Sequence, residues 1–184
     1  IDSQRMQYLF RRNTQELKMV VEELWQELQN TEFYPVDFEY GFDSIPIDGT
    51  SMSAVLRGFV DRVDAWKTND QCYYRVVDYK TGKKDFDYCD IYNGLGLQML
   101  LYLFALESAG DQVIGKNPTP AGVQYFPARA PLIAANGQLT EEEADAERSK
   151  LWKRKGLLLQ DERVLQAMDT SEKPVRFPYT KKKD

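Results

Sequence analysis

The chain contains no histidine and only two cysteines, Cys72 and Cys89, among its 184 residues. The missing histidine excludes serine or cysteine catalysis that relies on a histidine base. The two cysteines lack the CxxC spacing of a zinc site, and they support no disulfide framework, so we expect a reducing, cytoplasmic location. Any catalysis must therefore depend on carboxylates, lysine or a bound metal ion.

The sequence also lacks long apolar runs and an excess of positive charge. No stretch approaches the roughly 18 apolar residues of a membrane span, so we expect no membrane contact. The net charge of −5 and the pI near 5.0 argue against nucleic-acid binding by bulk positive potential alone. Basic residues cluster near positions 5–12, 80–84 and 150–155, and we interpret the first and last clusters as solvated surface. Contact with a polyanion would therefore be local.

The length predicts one domain with a substantial core over residues 1–170, followed by a weakly structured tail over 171–184. No signal peptide is visible, and the chain opens with Ile1 rather than methionine. We therefore expect a fragment of a longer protein.

Hydrophobic periodicity predicts an α/β domain. Apolar residues at three- and four-residue steps predict helices over 3–30, 91–108, 140–155 and 161–168. Thr140 and Glu143 predict a capping box for the third of these helices. Extended patterns predict strands over 33–42 and 122–126, with a turn region over 43–51 and a hairpin after it. This order predicts a mixed central sheet flanked by helices on both sides.

The hairpin carries the most informative pattern, with Asp61 on one strand and Asp78 and Lys80 on the other. A tight turn over Thr68-Asn69-Asp70-Gln71 sets a register that places Asp61 directly opposite Asp78. Strand side chains alternate between faces, so Asp78 and Lys80 share one surface. The other members of that face are apolar: Phe59, Val63, Ala65, Tyr74 and Val76. Opposed carboxylates bordering a core repel each other, and a hard divalent cation such as Mg²⁺ would remove the repulsion.

Other polar residues allow two interpretations. Asp64 falls opposite Arg75 on the second face of the hairpin, which we interpret as a structural cross-strand ion pair. Gln98 and Tyr102 lie four residues apart on one helix, either as a core aromatic with a chance polar neighbour or as a pair facing the site. Glu39 lies within a short apolar strand, where a glutamate is usually an edge or surface residue.

Three motifs resemble a known family when taken in order. They are Gly-x-x-Asp-Arg-x-Asp from residue 58, Val-Val-Asp-Tyr-Lys-Thr-Gly from residue 76 and Gly-Leu-Gly-Leu-Gln-Met-Leu-Leu-Tyr from residue 94. They resemble the RecB-like branch of the PD-(D/E)xK nucleases, and more closely the carboxy-terminal nuclease domains of AddB (RexB) subunits of bacterial helicase–nucleases. The likeness continues through residues 120–129 and 155–159. It implies a restriction-endonuclease-like fold.

The resemblance implies a catalytic metal centre. Asp61 and Asp78 would bind Mg²⁺, with Mn²⁺ as a substitute, and the main-chain carbonyl of Tyr79 would be a further ligand. Lys80 would orient or help deprotonate the attacking water and would steady the phosphate. Such a centre needs no histidine base, since a metal can generate the nucleophile and stabilise developing charge.

The resemblance also assigns supporting residues. Gln98 and Tyr102 match a helix motif whose members support the site or contact the DNA backbone, and Glu39 matches a carboxylate that many members carry on the preceding strand. Many members have a histidine ligand on an amino-terminal helix, and AddB domains carry an iron–sulfur cluster. The cysteines here do not match that cluster. We expect the missing ligands to lie outside this chain.

The function implied by the resemblance is a magnesium-dependent deoxyribonuclease domain, an exonuclease, that trims DNA ends in double-strand-break repair and recombination. Its partners would be DNA and an AddA (RexA)-like helicase subunit. The alternative is a noncatalytic scaffold with a degenerate nuclease fold that binds DNA or a partner helicase. A sugar hydrolase using Asp61 and Asp78 as acid and base is a third interpretation, but it leaves Lys80 without a role.

Overall fold

A computed structural model describes residues 3–48, 53–82, 84–110, 113–115, 117–129, 137–172 and 174–177. The elements in chain order are α1 (Gln4–Gln29), β1 (Tyr34–Asp48), β2 (Ser53–Lys67), β3 (Cys72–Lys80), α2 (Tyr88–Tyr92), α3 (Gln98–Ala109), β4 (Thr119–Pro127), α4 (Glu141–Leu151), β5 (Lys155–Leu158) and α5 (Glu162–Met168). None of the helices in these ranges combines the length and apolarity needed to cross a bilayer. Most of the predicted tail lies outside the described residues.

The five strands form one mixed sheet in the order β1-β2-β3-β4-β5. The β1–β2, β2–β3 and β4–β5 pairs are antiparallel, whereas β3 and β4 run parallel. The parallel pair is joined through α2 and α3, as a parallel connection requires a crossover. This architecture confirms the α/β class and the mixed sheet with flanking helices, as in restriction-endonuclease-like folds.

The turn between β2 and β3 sets the register of the hairpin. The backbone N–H of Thr68 donates to the carbonyl of Gln71 at 2.8 Å, and the hydroxyl of Thr68 accepts from the N–H of Gln71 at 3.0 Å. The ladder then runs without a shift from the Lys67–Cys72 pair to the Arg62–Val77 pair. The register predicted from the four turn residues is confirmed.

Helices cover both faces of the sheet. The α3 face is an apolar core that includes Val63, Ala65, Tyr74, Val76, Met99, Tyr102, Ala105, Leu106, Val123 and Tyr125. The opposite face, called the α1 face, packs Phe33, Tyr73, Ala121, Val164, Ala167, Met168 and Phe177 beneath α5 and the loops beside it. Both faces of the central strand β3 are therefore buried.

The α1 face also holds a buried ion cluster, whose members are Glu23, Glu27, Arg62, Asp64, Arg75, Arg154 and Arg176. Asp64 and Arg75 pair across the hairpin at 2.9 Å, as predicted, but both side chains are fully buried. Arg62 and Arg75 reach Glu27 of α1 at 2.9 and 3.0 Å. The interpretation of the 150–155 cluster as solvated surface is wrong for Arg154, which is 8% exposed and pairs with Glu27 at 2.6 Å.

Three element predictions need correction. The helix predicted over 91–108 is two helices, because Gly94 and Gly96 adopt φ values of +77° and +65° and end α2 before α3 begins. Strand β1 continues to Asp48 through most of the predicted turn region, of which residues 49–51 lie outside the described ranges. The helix predicted to end at residue 155 ends at Leu151, and Lys155 opens β5, a strand that the sequence pattern did not indicate.

The helix α1 forms as predicted and is capped by Ser3, whose hydroxyl accepts from the N–H of Met6 at 3.2 Å. An amphipathic pattern predicts that the apolar stripe of this helix is buried, but much of the stripe is exposed. The exposed members are Met6, Leu9, Phe10, Leu17 and Val21. Phe59 likewise departs from its predicted place in the apolar surface around Asp61, since it is 68% exposed.

Candidate active site

The candidate site lies where the parallel strands β3 and β4 reach their carboxyl ends. Asp78 and Lys80 are on β3, and Asp78 is paired in register with Tyr125 of β4. The Asp78 side chain is 2% exposed, and the Nζ atom of Lys80 lies 2.6 Å from its Oδ2 atom. The acid and the base predicted to share a surface are therefore in contact.

Asp61 lies one residue beyond the Arg62–Val77 pair that ends the regular ladder. Its Oδ2 atom accepts a hydrogen bond of 2.8 Å from the backbone N–H of Tyr79, so its carboxylate is held against the end of β3. The phenol of Tyr79 is anchored on the other side of the sheet, where its oxygen accepts from Nη1 of Arg62 at 2.9 Å. Tyr79 thus connects the site to the buried ion cluster.

The electrostatic environment of Asp78 opposes its ionised form. Burial raises the pKa of Asp78 above its ordinary value; the Lys80 ammonium counteracts this rise, and the nearby charge of Asp61 adds to it. Oδ2 of Asp78 faces the Lys80 ammonium, 2.6 Å away. A buried carboxylate oxygen next to a second carboxylate has a strong demand for positive charge.

Lys80 supplies part of that positive charge. Burial alone would lower the pKa of Lys80, but its contact with Asp78 and the charge of Asp61 together raise the pKa above its ordinary value. The Lys80 side chain is 30% exposed, so the ammonium borders solvent. It is positioned to meet an anionic group that approaches Asp78.

The predicted Gln98–Tyr102 pair forms a contact on α3. Nε2 of Gln98 donates to the hydroxyl of Tyr102 at 2.5 Å, and the Tyr102 ring packs edge-on against Phe42 with 6.0 Å between centroids. Tyr102 is buried in the α3 face, whereas Gln98 is exposed at the start of the helix. Tyr102 is therefore a core aromatic whose hydroxyl accepts a hydrogen bond from Gln98. Gln98 is the member of the pair that faces solvent.

Tyr125 lies beside the candidate site, and the sequence did not indicate it. Burial raises its pKa, as does the charge of Asp78, and Tyr102 adds to the rise. The Nζ atom of Lys80 lies 5.8 Å from the centre of its ring. Tyr125 therefore lies beside Lys80 and belongs to the same apolar core as Tyr102 of α3. Only the parallel pairing of β3 with β4 brings it there, and that pairing has no local sequence signal.

Glu39 lies on the edge strand β1 beside the site. The β1–β2 pairs on either side of it, Phe38 with Arg62 and Tyr40 with Val60, place its backbone next to Asp61. Its φ of 50° falls in the left-handed region, which non-glycine residues rarely occupy. Its side chain is exposed, and no contact links it to Asp61 or Asp78 among those described. The structure therefore places Glu39 next to the site without joining it to the central group.

The oxygen donors fit a hard cation with few protein ligands. Within the described residues, no group of three or more acidic or cysteine side chains is close enough to enclose a metal ion. The buried carboxylate of Asp78, which is paired with Lys80, and the carboxylate of Asp61 are two oxygen donors at one edge of the sheet. Mg²⁺ is commonly bound by one or two carboxylates together with water and substrate phosphate. Two carboxylates at one edge therefore suit such an ion better than one that needs six or more protein oxygens around it.

Comparison with known proteins identifies relatives and a family for this chain. Relatives whose names describe one subunit of an ATP-dependent helicase/deoxyribonuclease include those of Acetivibrio thermocellus, 40% identical over 162 residues, and Clostridium perfringens, 37% identical over 170 residues. These alignments cover 83% and 90% of the chain but only 14% and 15% of the relatives, so the chain spans about a seventh of their length. The family model of the PD-(D/E)XK nuclease superfamily matches residues 2–177. The chain therefore belongs to the PD-(D/E)XK nuclease superfamily.

Proposed function

We propose that this domain is a metal-dependent deoxyribonuclease that hydrolyses phosphodiester bonds at the Asp61–Asp78–Lys80 site. The observation that supports the proposal most is the buried Asp78 carboxylate, which lies beside Asp61 and is in contact with the Lys80 ammonium at 2.6 Å. This arrangement provides two carboxylates that can bind a metal ion and one ammonium group that can bind a phosphate. Family membership gives the same reaction class.

The cation fits Mg²⁺, with Mn²⁺ as a substitute. Asp61 and Asp78 would hold it, and the main-chain carbonyl of Tyr79 is the proposed third protein ligand. A bound divalent cation supplies electrostatic stabilisation of the phosphate and makes water a better nucleophile at neutral pH.

The protein's own groups then position the reactants. The N–H of Tyr79 fixes the Asp61 carboxylate through its 2.8 Å hydrogen bond, so Asp61 need not reorganise when a cation binds. The Lys80 ammonium would bind a nonbridging phosphate oxygen and keep the attacking water in place beside Asp78. Gln98 would contact the DNA backbone from the start of α3, with Tyr102 holding its amide. Glu39 is a candidate supporting carboxylate on β1.

The relatives suggest the wider setting. Their names describe one subunit of an ATP-dependent helicase/deoxyribonuclease. We therefore infer that the domain acts as an exonuclease on DNA ends delivered by a helicase partner of the AddA (RexA) type, in cytoplasmic double-strand-break repair and recombination.

Cleavage of labelled linear and single-stranded DNA in the presence of Mg²⁺ or Mn²⁺ tests the proposal. Asp78→Ala and Lys80→Ala should each lower the rate by about 100-fold or more, because each removes a charge that acts on the transition state. Asp145→Ala and Lys150→Ala on the exposed helix α4 are matched controls and should retain the wild-type rate. Thermal unfolding of each variant shows whether the fold is kept. Equal cleavage by wild type and Asp78→Ala would reject the assignment.

A noncatalytic scaffold is the second candidate. The observation in its favour is that only two carboxylates come together in the described part of the site. A scaffold would bind DNA but show no metal-dependent cleavage and no effect of Asp78→Ala on its function. The same cleavage experiment therefore separates the two candidates.

A further inference from the structure

Three aromatic rings form a row that leads from the catalytic lysine to the protein surface. The row consists of Tyr125, Phe86 and Tyr88. The Phe86 ring centre lies 6.5 Å from that of Tyr125 and 5.8 Å from that of Tyr88, which it meets edge-on. Tyr125 is buried next to Lys80, Phe86 is half-buried, and Tyr88 is 66% exposed. The aromatic row therefore begins at the site and ends in solvent.

The segment that carries Phe86 and Tyr88 is attached to the sheet through Asp85 and Phe86. Asp85 forms an ion pair with Lys155 of β5, and Lys155 is paired in register with Tyr125. Asp87 caps α2 by accepting from the N–H of Cys89 at 2.7 Å. Phe86 itself packs against the α3 face, beside Tyr125 near the end of β4. The exposed ring of Tyr88 is held by this arrangement next to the site.

Positive charge lies alongside the aromatic row. The Lys80 ammonium is 5.8 Å from the centre of the Tyr125 ring. Lys84 is exposed and lies two residues before Phe86. Its charge lowers the pKa of Asp78, as expected of a lysine near the site. Two lysines beside three rings provide contacts for phosphates and for flat apolar faces along the same path.

We propose that the aromatic row is a stacking platform for nucleobases of a single-stranded nucleic acid, with Tyr88 as the ring that contacts a base. The inference rests on the proposed nuclease function, which accounts for phosphate at Lys80. Unpaired bases expose both of their faces, and stacking on aromatic side chains together with lysine contacts to phosphate is how sequence-tolerant single-strand sites are built. An apolar peptide would leave the two lysines unmatched, and a duplex hides the faces of its bases.

The test compares two strands that differ only in their bases. Fluorescence anisotropy in EDTA would measure the affinity for a labelled oligothymidylate and for an abasic strand with the same number of phosphates. Wild type should prefer the base-containing strand by about fivefold or more. The preference should be lost in Tyr88→Ala and restored in Tyr88→Trp. Tyr8→Ala is the matched control, because Tyr8 is 64% exposed on α1 and should leave the preference unchanged.

Two results would overturn the inference. One is an equal affinity of wild type for both strands, including no binding of either; the other is a Tyr88→Ala variant that keeps the preference. Because the assay contains no metal and involves no cleavage, it does not depend on the outcome for Asp78. A base preference without cleavage would uphold the aromatic row and reject the nuclease function. Cleavage by wild type, together with a Tyr88→Ala variant that keeps the base preference, would uphold the nuclease function and reject the aromatic row.

Discussion

At the scale of single residues, Tyr79 determines how the site is supported. It stands between Asp78 and Lys80 on β3, its backbone N–H holds Asp61, and its hydroxyl lies 2.9 Å from Nη1 of Arg62 on the opposite face. Arg62 is itself fixed by Glu27 and Asp64 in the buried ion cluster. Tyr79 therefore links the buried ion cluster on one face of the sheet to the candidate site on the other.

Removing only the hydroxyl of this residue tests that connection. Tyr79→Phe should lower the single-turnover cleavage rate by about tenfold, because a misplaced Asp61 weakens the positioning of the cation. The free energy of unfolding should fall by only about 1 kcal/mol, the contribution of one hydrogen bond. Tyr73→Phe is the control on the same strand and face, where the hydroxyl donates to Oε1 of Gln71 at 2.6 Å. Quench-flow cleavage and urea unfolding give the two readouts. Equal rates for both variants would show that the Tyr79 hydroxyl has no positioning role.

At the scale of elements, Glu27 joins α1 to the sheet. This carboxylate is 1% exposed and lies among Arg62, Arg75 and Arg154. Burial would raise the pKa of Glu27, but the three guanidinium groups outweigh burial and lower the pKa from 4.5 to about 2. A folded-state pKa below the unfolded value means that ionised Glu27 stabilises the fold above about pH 4.5, and that this stabilisation is lost as the pH falls toward 2.

Glu27→Gln should therefore destabilise the domain by about 3 kcal/mol near pH 7, which is the free energy that corresponds to the lowered pKa. The difference in unfolding free energy between wild type and the variant should shrink as the pH falls below about 4.5. Urea unfolding between about pH 7 and pH 3.5 measures this difference. Glu22→Gln, an exposed position on the same helix, should change stability little. A difference that is constant with pH would contradict the account.

The elements also show what the sequence could predict. The hairpin register followed from four turn residues, because a tight turn is local chemistry. The break at Gly94 and Gly96 was missed because apolar periodicity continues across it. The strand β5 has only four residues, and its pairing depends on Gly156, where a Cβ atom would lie 1.9 Å from the carbonyl oxygen of Val123. Such close approach is visible only in three dimensions.

The sequence predicted the part of the candidate site that lies on one hairpin, but not the part that comes from distant strands and helices. Asp61, Asp78 and Lys80 share one hairpin, so their proximity could be inferred from local alternation and register. Tyr125 comes from β4, whose parallel pairing with β3 links distant parts of the chain. The burial of the Asp64–Arg75 pair likewise depends on α1, which covers it through Glu27. Residues supplied by distant elements carry no local sequence signal, so their positions at the site follow only from the fold.

At the scale of the whole molecule, the net charge of −5 bears on how the nucleic acid of the proposed function would be held. We expect the attraction to come mainly from lysines near the site, Lys80 and Lys84, rather than from a broad basic surface. The affinity for a single strand should therefore fall gently with salt, with a logarithmic slope of about −1.4 for two phosphate contacts at about −0.7 each. Anisotropy titrations at several salt concentrations measure this slope. A slope steeper than about −4 would indicate a broad basic surface instead.

The proposed nuclease function depends on a divalent-cation site formed by Asp61 and Asp78 together. Calorimetric titration with Mn²⁺ tests it most directly, using wild type, Asp61→Asn, Asp78→Asn and the control Asp145→Asn from exposed α4. We predict saturable binding by wild type and Asp145→Asn, and its loss in both site variants, each of which should still unfold cooperatively. Binding that persists unchanged in Asp78→Asn, or no binding by the wild-type chain, would contradict the claim.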